Sequence, residues 1–121
     1  MRADIQIVIN EIEKSLSLLR QRLDWDNVKK KREEFDALTE DPDLWNEPDK
    51  AQKLMRERQN FIDQVDGHDT ISNELKDNIE LIELAEIEAD EEILKEVVAA
   101  LQKLKTRASS KELEALLNGE A

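Results

Sequence analysis

The residue best suited to acid–base chemistry is the single histidine, His68, which follows Gly67 and lies between Asp66 and Asp69. A histidine beside a carboxylate can act as a general base when a cleft and an orienting partner are present. The surrounding helical pattern supplies neither, so we interpret His68 as an exposed or half-buried helix residue. The chain has no cysteine, no glycine-rich phosphate loop and no zinc-ligand spacing, and we therefore expect no catalytic residue, cofactor or metal site.

The acidic residues indicate a candidate docking surface. The chain carries 18 basic and 30 acidic side chains, which give a net charge of −12, and the excess of acids lies in the second half. Residues 77–96 contain nine acids and a single lysine. Such a surface repels phosphate backbones, so a basic protein is a better partner than nucleic acid. The candidate contacts are Glu88, Glu91 and Glu92; the alternative is a surface that only confers solubility.

A second candidate surface is the basic cluster "KKKR", which runs from Lys29 to Arg32. Four consecutive residues point around a helix, so no more than two of them share a face. We name Lys29 and Lys30 as candidate contacts with RNA phosphate or an acidic neighbour. The alternative is an ordinary solvated helix surface.

The composition is typical of an all-α cytoplasmic domain. Only two glycines and two prolines interrupt a chain rich in Glu, Leu, Ala, Ile and Lys, and no apolar run approaches the roughly 20 residues of a membrane span. We do not expect the N-terminus to be a signal peptide, because it has one basic residue and an early acid. The lack of cysteine is compatible with a reducing cytoplasm. We expect one domain, residues 1–121.

Apolar spacing predicts four helices. Steps of three and four place one stripe of helix 1 along Ile5, Val8, Ile12, Leu16, Leu19 and Leu23. The tetrapeptide "DWDN" ends this pattern, and Asp24 or Asp26 can cap helix 2, which we expect to run from about Trp25 to Thr39.

The stretch "DPDLWNEPDKAQ", residues 41–52, holds both prolines and predicts a break between helices 2 and 3. Pro42 disfavours helix before it, Asn46 is a good N-cap, and Pro48 suits the first turn of a new helix. We expect Leu44 and Trp45 to fold back onto the helices as a buried plug. The alternative is that Trp45 is an exposed anchor for a partner, since tryptophan is favoured at interaction hot spots.

Helices 3 and 4 are predicted to form a long antiparallel hairpin. Helix 3 runs for about 40 residues from Glu47, with Gly67 allowing a bend. The chain turns near Glu88, Asp90 caps helix 4, and Gly119 fits its C-terminal cap. The predicted fold is an elongated four-helix assembly in which two shorter N-terminal helices pack at the base of this hairpin.

Four segments in order also carry a family resemblance: "LDWD", "DPDLWNEPDKAQKLMRER", "IELIELAEIEADEE" and "LEALLNGEA". The chain resembles the N-terminal helical domain of the bacterial release factor 2 family, class I peptide chain release factors that read UGA and UAA. The resemblance covers essentially the whole chain. The segment "PDLWNEP" is its most specific part, because the sister family that reads UAG and UAA looks different there.

The resemblance implies docking near the ribosomal stalk base, at the GTPase-associated centre, and communication with the GTPase release factor. In that family a later core carries the codon-reading tripeptide and a Gly-Gly-Gln loop that promotes peptidyl-tRNA hydrolysis. Neither is present, since the two glycines are 52 residues apart, so we expect a non-enzymatic domain excised from a longer factor. Two alternatives remain: a free-standing helical or coiled-coil adaptor, and an RNA-binding module that uses the basic cluster.

Overall fold

The computed structural model describes residues 1–119, and helices dominate this range, which confirms the predicted all-α class. The four α-helices are α1 (Ala3–Leu23), α2 (Val28–Glu40), α3 (Pro48–Ile87) and α4 (Glu91–Gly119). Short 3₁₀ segments at Trp25–Asn27 and Pro42–Asn46 connect α1 to α2 and α2 to α3. The cap predicted at Gly119 depends on residues outside the described range.

The antiparallel hairpin of α3 and α4 turns at residues 88–90, as the sequence predicts. Ala89 adopts a left-handed conformation with φ of 52°, and the backbone N–H of Asp90 donates to the carbonyl of Ala85 at 2.9 Å. This hydrogen-bond pattern satisfies carbonyls that would otherwise be free at the end of α3. The carboxylate of Asp90 then accepts from the N–H of Ile93 at 3.1 Å, which confirms Asp90 as the cap of α4.

Helix α1 runs along the hairpin from the turn to the base, where Leu19 and Leu23 join the cluster around Phe61, whereas we predicted packing at the base alone. Its N-terminus reaches the turn, where the amino group of Met1 is 3.2 Å from the carboxylate of Glu86. The arm is therefore a three-helix bundle. The shared core consists of Ile5, Ile9, Ile12 and Leu16 from α1, Ile71, Leu75, Ile82 and Ala85 from α3, and Leu94, Val97, Leu101, Leu104 and Ala108 from α4. The physical reason is that α1 has a continuous apolar stripe. This stripe removes the largest apolar surface area from water when it packs along the whole groove between α3 and α4.

Helix α2 packs only against the base of the hairpin. No residue of α2 is fully buried, and the helix is held by half-buried side chains against α3. The rings of Phe35 and Phe61 lie 5.6 Å apart between centroids, and Arg58 donates to the carboxylate of Asp36 at 3.1 Å. Helix α2 begins at Val28, because a 3₁₀ segment takes up the residues that we assigned to its first turn.

The two prolines bracket the break between α2 and α3, as predicted, but the predicted cap does not form. Asn46 ends the 3₁₀ segment, and Glu47 occupies the N-cap position of α3 without a side-chain hydrogen bond. Pro48 instead starts α3 directly, since its missing N–H would have had no partner in the first turn. Helix α3 then continues through Gly67, which the side chain of Lys111 approaches closely.

Candidate functional site

The hairpin turn gathers the three acidic candidate residues at one end of the arm. Glu88, Glu91 and Glu92 are all exposed and lie on both sides of the turn. Among the described side chains none of these three forms an ion pair, whereas the nearby Glu86 is paired with the amino group of Met1. The end of the arm, which we call the acidic tip (residues 86–92), therefore presents carboxylates to solvent.

Two exposed apolar side chains, Ile87 within the acidic tip and Leu84 just before it, were missed by the sequence interpretation. Leu84 is 51 % exposed and Ile87 is 82 % exposed, while the seam residues Ile82 and Ala85 on the same helix are buried. The signal in the sequence was that Leu84 and Ile87 do not follow the apolar stripe of α3. Carboxylates beside exposed aliphatic side chains suit a protein partner that offers both a basic and an apolar surface.

The basic cluster is divided by the packing of α2. Lys29 and Lys30 are exposed, whereas Nζ of Lys31 lies 5.1 Å from the centroid of the Phe61 ring. The cluster sits at the base, while the acidic tip lies at the far end of α3. A helix of 40 residues is about 60 Å long. The structure therefore does not bring Lys29 and Lys30 together with the candidate glutamates.

His68 is buried, and our interpretation of it as exposed or half-buried was wrong. Only 4 % of the residue is accessible, and its Nε2 lies 3.0 Å from Nη1 of Arg20. Its Nδ1 lies 3.1 Å from the carboxylate of Asp69, and its ring centroid is 4.2 Å from that of Trp25. Arg20 and Trp25 come from the first part of the chain, so local sequence could not reveal them. The arrangement fixes α1 against α3 and uses both ring nitrogens.

Trp45 is exposed, which contradicts the predicted buried plug. Its side chain is 60 % exposed, while the neighbouring Leu44 is half-buried. The physical reason is the 3₁₀ segment, in which consecutive side chains diverge by about a third of a turn, so that Leu44 and Trp45 cannot both face the helices. Trp45 borders an open groove at the start of α3.

Residues 1–119 hold no cluster of three or more His, Cys, Asp or Glu side chains arranged to bind a metal ion. No helix in the described part of the chain is both long enough and apolar enough to cross a membrane. Three exposed features of the described residues can contact a partner: the acidic tip, the basic cluster and Trp45.

Comparison with known proteins gives consistent matches. Residues 28–121 match the family model described as the PCRF domain. Peptide chain release factor 2 of Roseobacter denitrificans is 54 % identical over 121 residues, which are all of this chain and 32 % of that protein. The same factor is 51 % identical over 120 residues in a Ruegeria species and 41 % identical over 121 residues in Paramagnetospirillum magneticum. The chain spans about a third of the length of these curated relatives.

Proposed function

Since the chain belongs to the PCRF domain family, as a release factor 2 N-terminal domain, we propose that it docks a translation termination factor on the ribosome. The similarity covers the whole chain. The described part of the domain supplies a bundled arm whose core is shared by three helices. Its contribution is therefore position rather than chemistry.

The observation that carries this proposal is the exposed acidic tip at the end of a bundled arm. Three helices hold the arm along its length, because the core continues from Ile71 to Ala85 on α3. A rigid arm places its end at a fixed distance from the base, which is what a docking contact requires. Glu88, Glu91 and Glu92 then form the contact, with Leu84 and Ile87 beside them.

The proposed partner of the acidic tip is a basic ribosomal protein at the stalk base, within the GTPase-associated centre. Carboxylates repel rRNA phosphates and attract lysine and arginine side chains, so the charge of the tip supports a protein rather than RNA. Communication with the GTPase release factor would take place in the same region of the ribosome. A function on the ribosome implies that the chain acts in the cytoplasm.

We further propose that the chain acts as one domain, residues 1–121, of a longer factor. In such a factor, recognition of UGA and UAA and hydrolysis of peptidyl-tRNA would fall to other segments, since this chain contains no Gly-Gly-Gln sequence. Its extent, about a third of the release factor 2 relatives, supports this division of labour. The isolated chain should release no peptide from ribosomes stalled at UGA.

The test is co-sedimentation of the chain with ribosomes as a function of salt. Glu88→Lys, Glu91→Lys and Glu92→Lys combined should weaken binding, and binding by the unaltered chain should fade as salt screens the charges. A matched control variant combines Glu33→Lys, Glu34→Lys and Asp66→Lys. These positions are exposed and lie away from the tip, and the three substitutions change the net charge by the same amount.

Glu91 and Glu92 also lie in the first turn of α4, where lysine opposes the helix dipole. Circular dichroism should therefore accompany the assay, and the triple glutamine variant serves as a milder second form. Equal binding by the tip and control variants would remove the tip from the contact. A folded chain that does not bind ribosomes at all would favour the helical adaptor. Loss of binding on Lys29→Glu and Lys30→Glu would favour the RNA-binding module.

A further inference from the structure

Trp45 lies in a groove that the proposed docking by the acidic tip does not use. Of the four aromatic side chains in the described range, Phe61 is buried, Trp25 and Phe35 are half-buried, and Trp45 alone is exposed. An exposed tryptophan has a large apolar surface in contact with water and a π-face open to a partner.

The groove beside Trp45 is concave and has a volume of about 580 Å³. Its remaining lining comes from the first two turns of α3 and combines apolar with polar side chains: Pro48, Asp49, Ala51, Gln52 and Met55. Met55 is 39 % exposed, and methionine is a flexible side chain that adapts to varied partners. The groove can therefore receive one apolar or planar side chain against the indole ring.

The acidic side chains near the groove favour a basic partner. Residues 40–49 contain five exposed acids and no basic side chain: Glu40, Asp41, Asp43, Glu47 and Asp49. Among the described side chains only Glu47 has an ion-pair partner, Lys50, at 2.9 Å. Asp49 lines the groove, and the five acids outnumber the three basic side chains that follow on α3, Lys50, Lys53 and Arg56. This excess of acids repels nucleic acid and attracts arginine and lysine. An arginine side chain can also stack on the face of an exposed indole.

We propose that the Trp45 groove binds a basic protein segment, in which an apolar or arginine side chain packs on Trp45 and neighbouring basic residues pair with Asp43 and Asp49. The groove lies at the start of α3 and the acidic tip lies at its end, so the two surfaces are about 60 Å apart. One short segment cannot cover both. The groove is thus a second contact surface, independent of docking by the tip.

The experiment is an NMR titration of the ¹⁵N-labelled chain with a short peptide that carries one leucine flanked by arginines. The indole N–H signal of Trp45 should move, while that of Trp25, which packs on His68, serves as an internal control. Trp45→Ala should weaken binding about tenfold or more, as for an aromatic hot spot. Ile7→Ala, which removes an apolar side chain of 57 % exposure elsewhere, should leave binding unchanged.

The charge requirement is tested separately. Asp43→Asn with Asp49→Asn should weaken binding and flatten its dependence on salt, whereas Asp66→Asn should not. The triple lysine variant of the acidic tip should bind the peptide normally, which separates this inference from the proposed ribosome docking. Equal binding of a peptide with glutamates in place of the arginines would overturn the inference. A shift of the Trp45 signal with protein concentration alone would also overturn it, because the groove would then belong to a second copy of the chain.

Discussion

Arg20 on α1 donates a hydrogen bond to Nε2 of His68 on α3 over 3.0 Å, and this contact fixes the tautomer of the histidine. A guanidinium group has donors only, so Nε2 must accept. The proton of the neutral ring therefore lies on Nδ1, which donates to the carboxylate of Asp69 at 3.1 Å. A residue that the sequence presents as an isolated acid–base candidate is thus a link between two helices.

Removal of this link should destabilise the domain. Arg20→Ala leaves Nε2 of His68 buried without a partner, and we expect the free energy of unfolding to fall by about 1–3 kcal/mol. Arg22→Ala, an exposed position on the same helix, should change it by no more than about 0.5 kcal/mol. Urea denaturation measures both. Equal losses in the two variants would mean that the Arg20–His68 contact contributes nothing in solution.

Because Trp45 is exposed and not part of a buried plug, its removal should change stability little. Trp45→Ala should alter the free energy of unfolding by about 0.5 kcal/mol or less, because the side chain is largely solvated. Phe61→Ala, which empties a buried position in the base cluster where α3 meets α1, α2 and α4, should cost about 3–5 kcal/mol. Thermal or chemical denaturation compares the two directly. A loss at Trp45 as large as that at Phe61 would restore the buried plug.

The position of α1 along the arm can be tested at its first turn. Ile5 is 2 % exposed in the arm core, so Ile5→Ala should cost about 2–5 kcal/mol and speed hydrogen exchange at the amides around Ile82. Ile7 is 57 % exposed on the opposite side of the helix, and Ile7→Ala should leave both measurements close to those of the unaltered chain. If Ile5→Ala behaves like Ile7→Ala, α1 does not extend along the arm.

The hairpin turn contains a residue with backbone strain, and a glycine at this position should relieve that strain. Ala89 has a φ of 52°, and a left-handed conformation costs a residue with a Cβ about 1–2 kcal/mol. Glycine loses more backbone entropy on folding, so Ala89→Gly should stabilise the domain by a net gain of about 0.5–1 kcal/mol. Ala99→Gly, at an exposed position inside α4, should destabilise it by about 1 kcal/mol. The melting temperatures of the two variants should therefore move in opposite directions, and a fall for both would contradict the assigned turn.

Features that depend on neighbours in sequence could be predicted. The apolar period of α1, α3 and α4, the effect of Pro42 on the end of α2 and the capping carboxylate of Asp90 all act within a few residues, and each appears in the structure as expected. The grouping of Glu88, Glu91 and Glu92 belongs to this class, because residues beside a tight turn must lie together. Their role in docking stays a prediction.

The sequence by itself determined the helices, the turn and the charge of the arm's end, whereas only the tertiary structure decided which faces of those helices meet. His68 is buried because Arg20, 48 positions earlier, reaches it across the bundle. Trp45 faces solvent because its neighbour Leu44 takes the inward direction. The partner of His68 is 48 positions away, and Leu44 and Trp45 compete for the same contact with the helices, so the periodicity of a single segment could not predict either outcome.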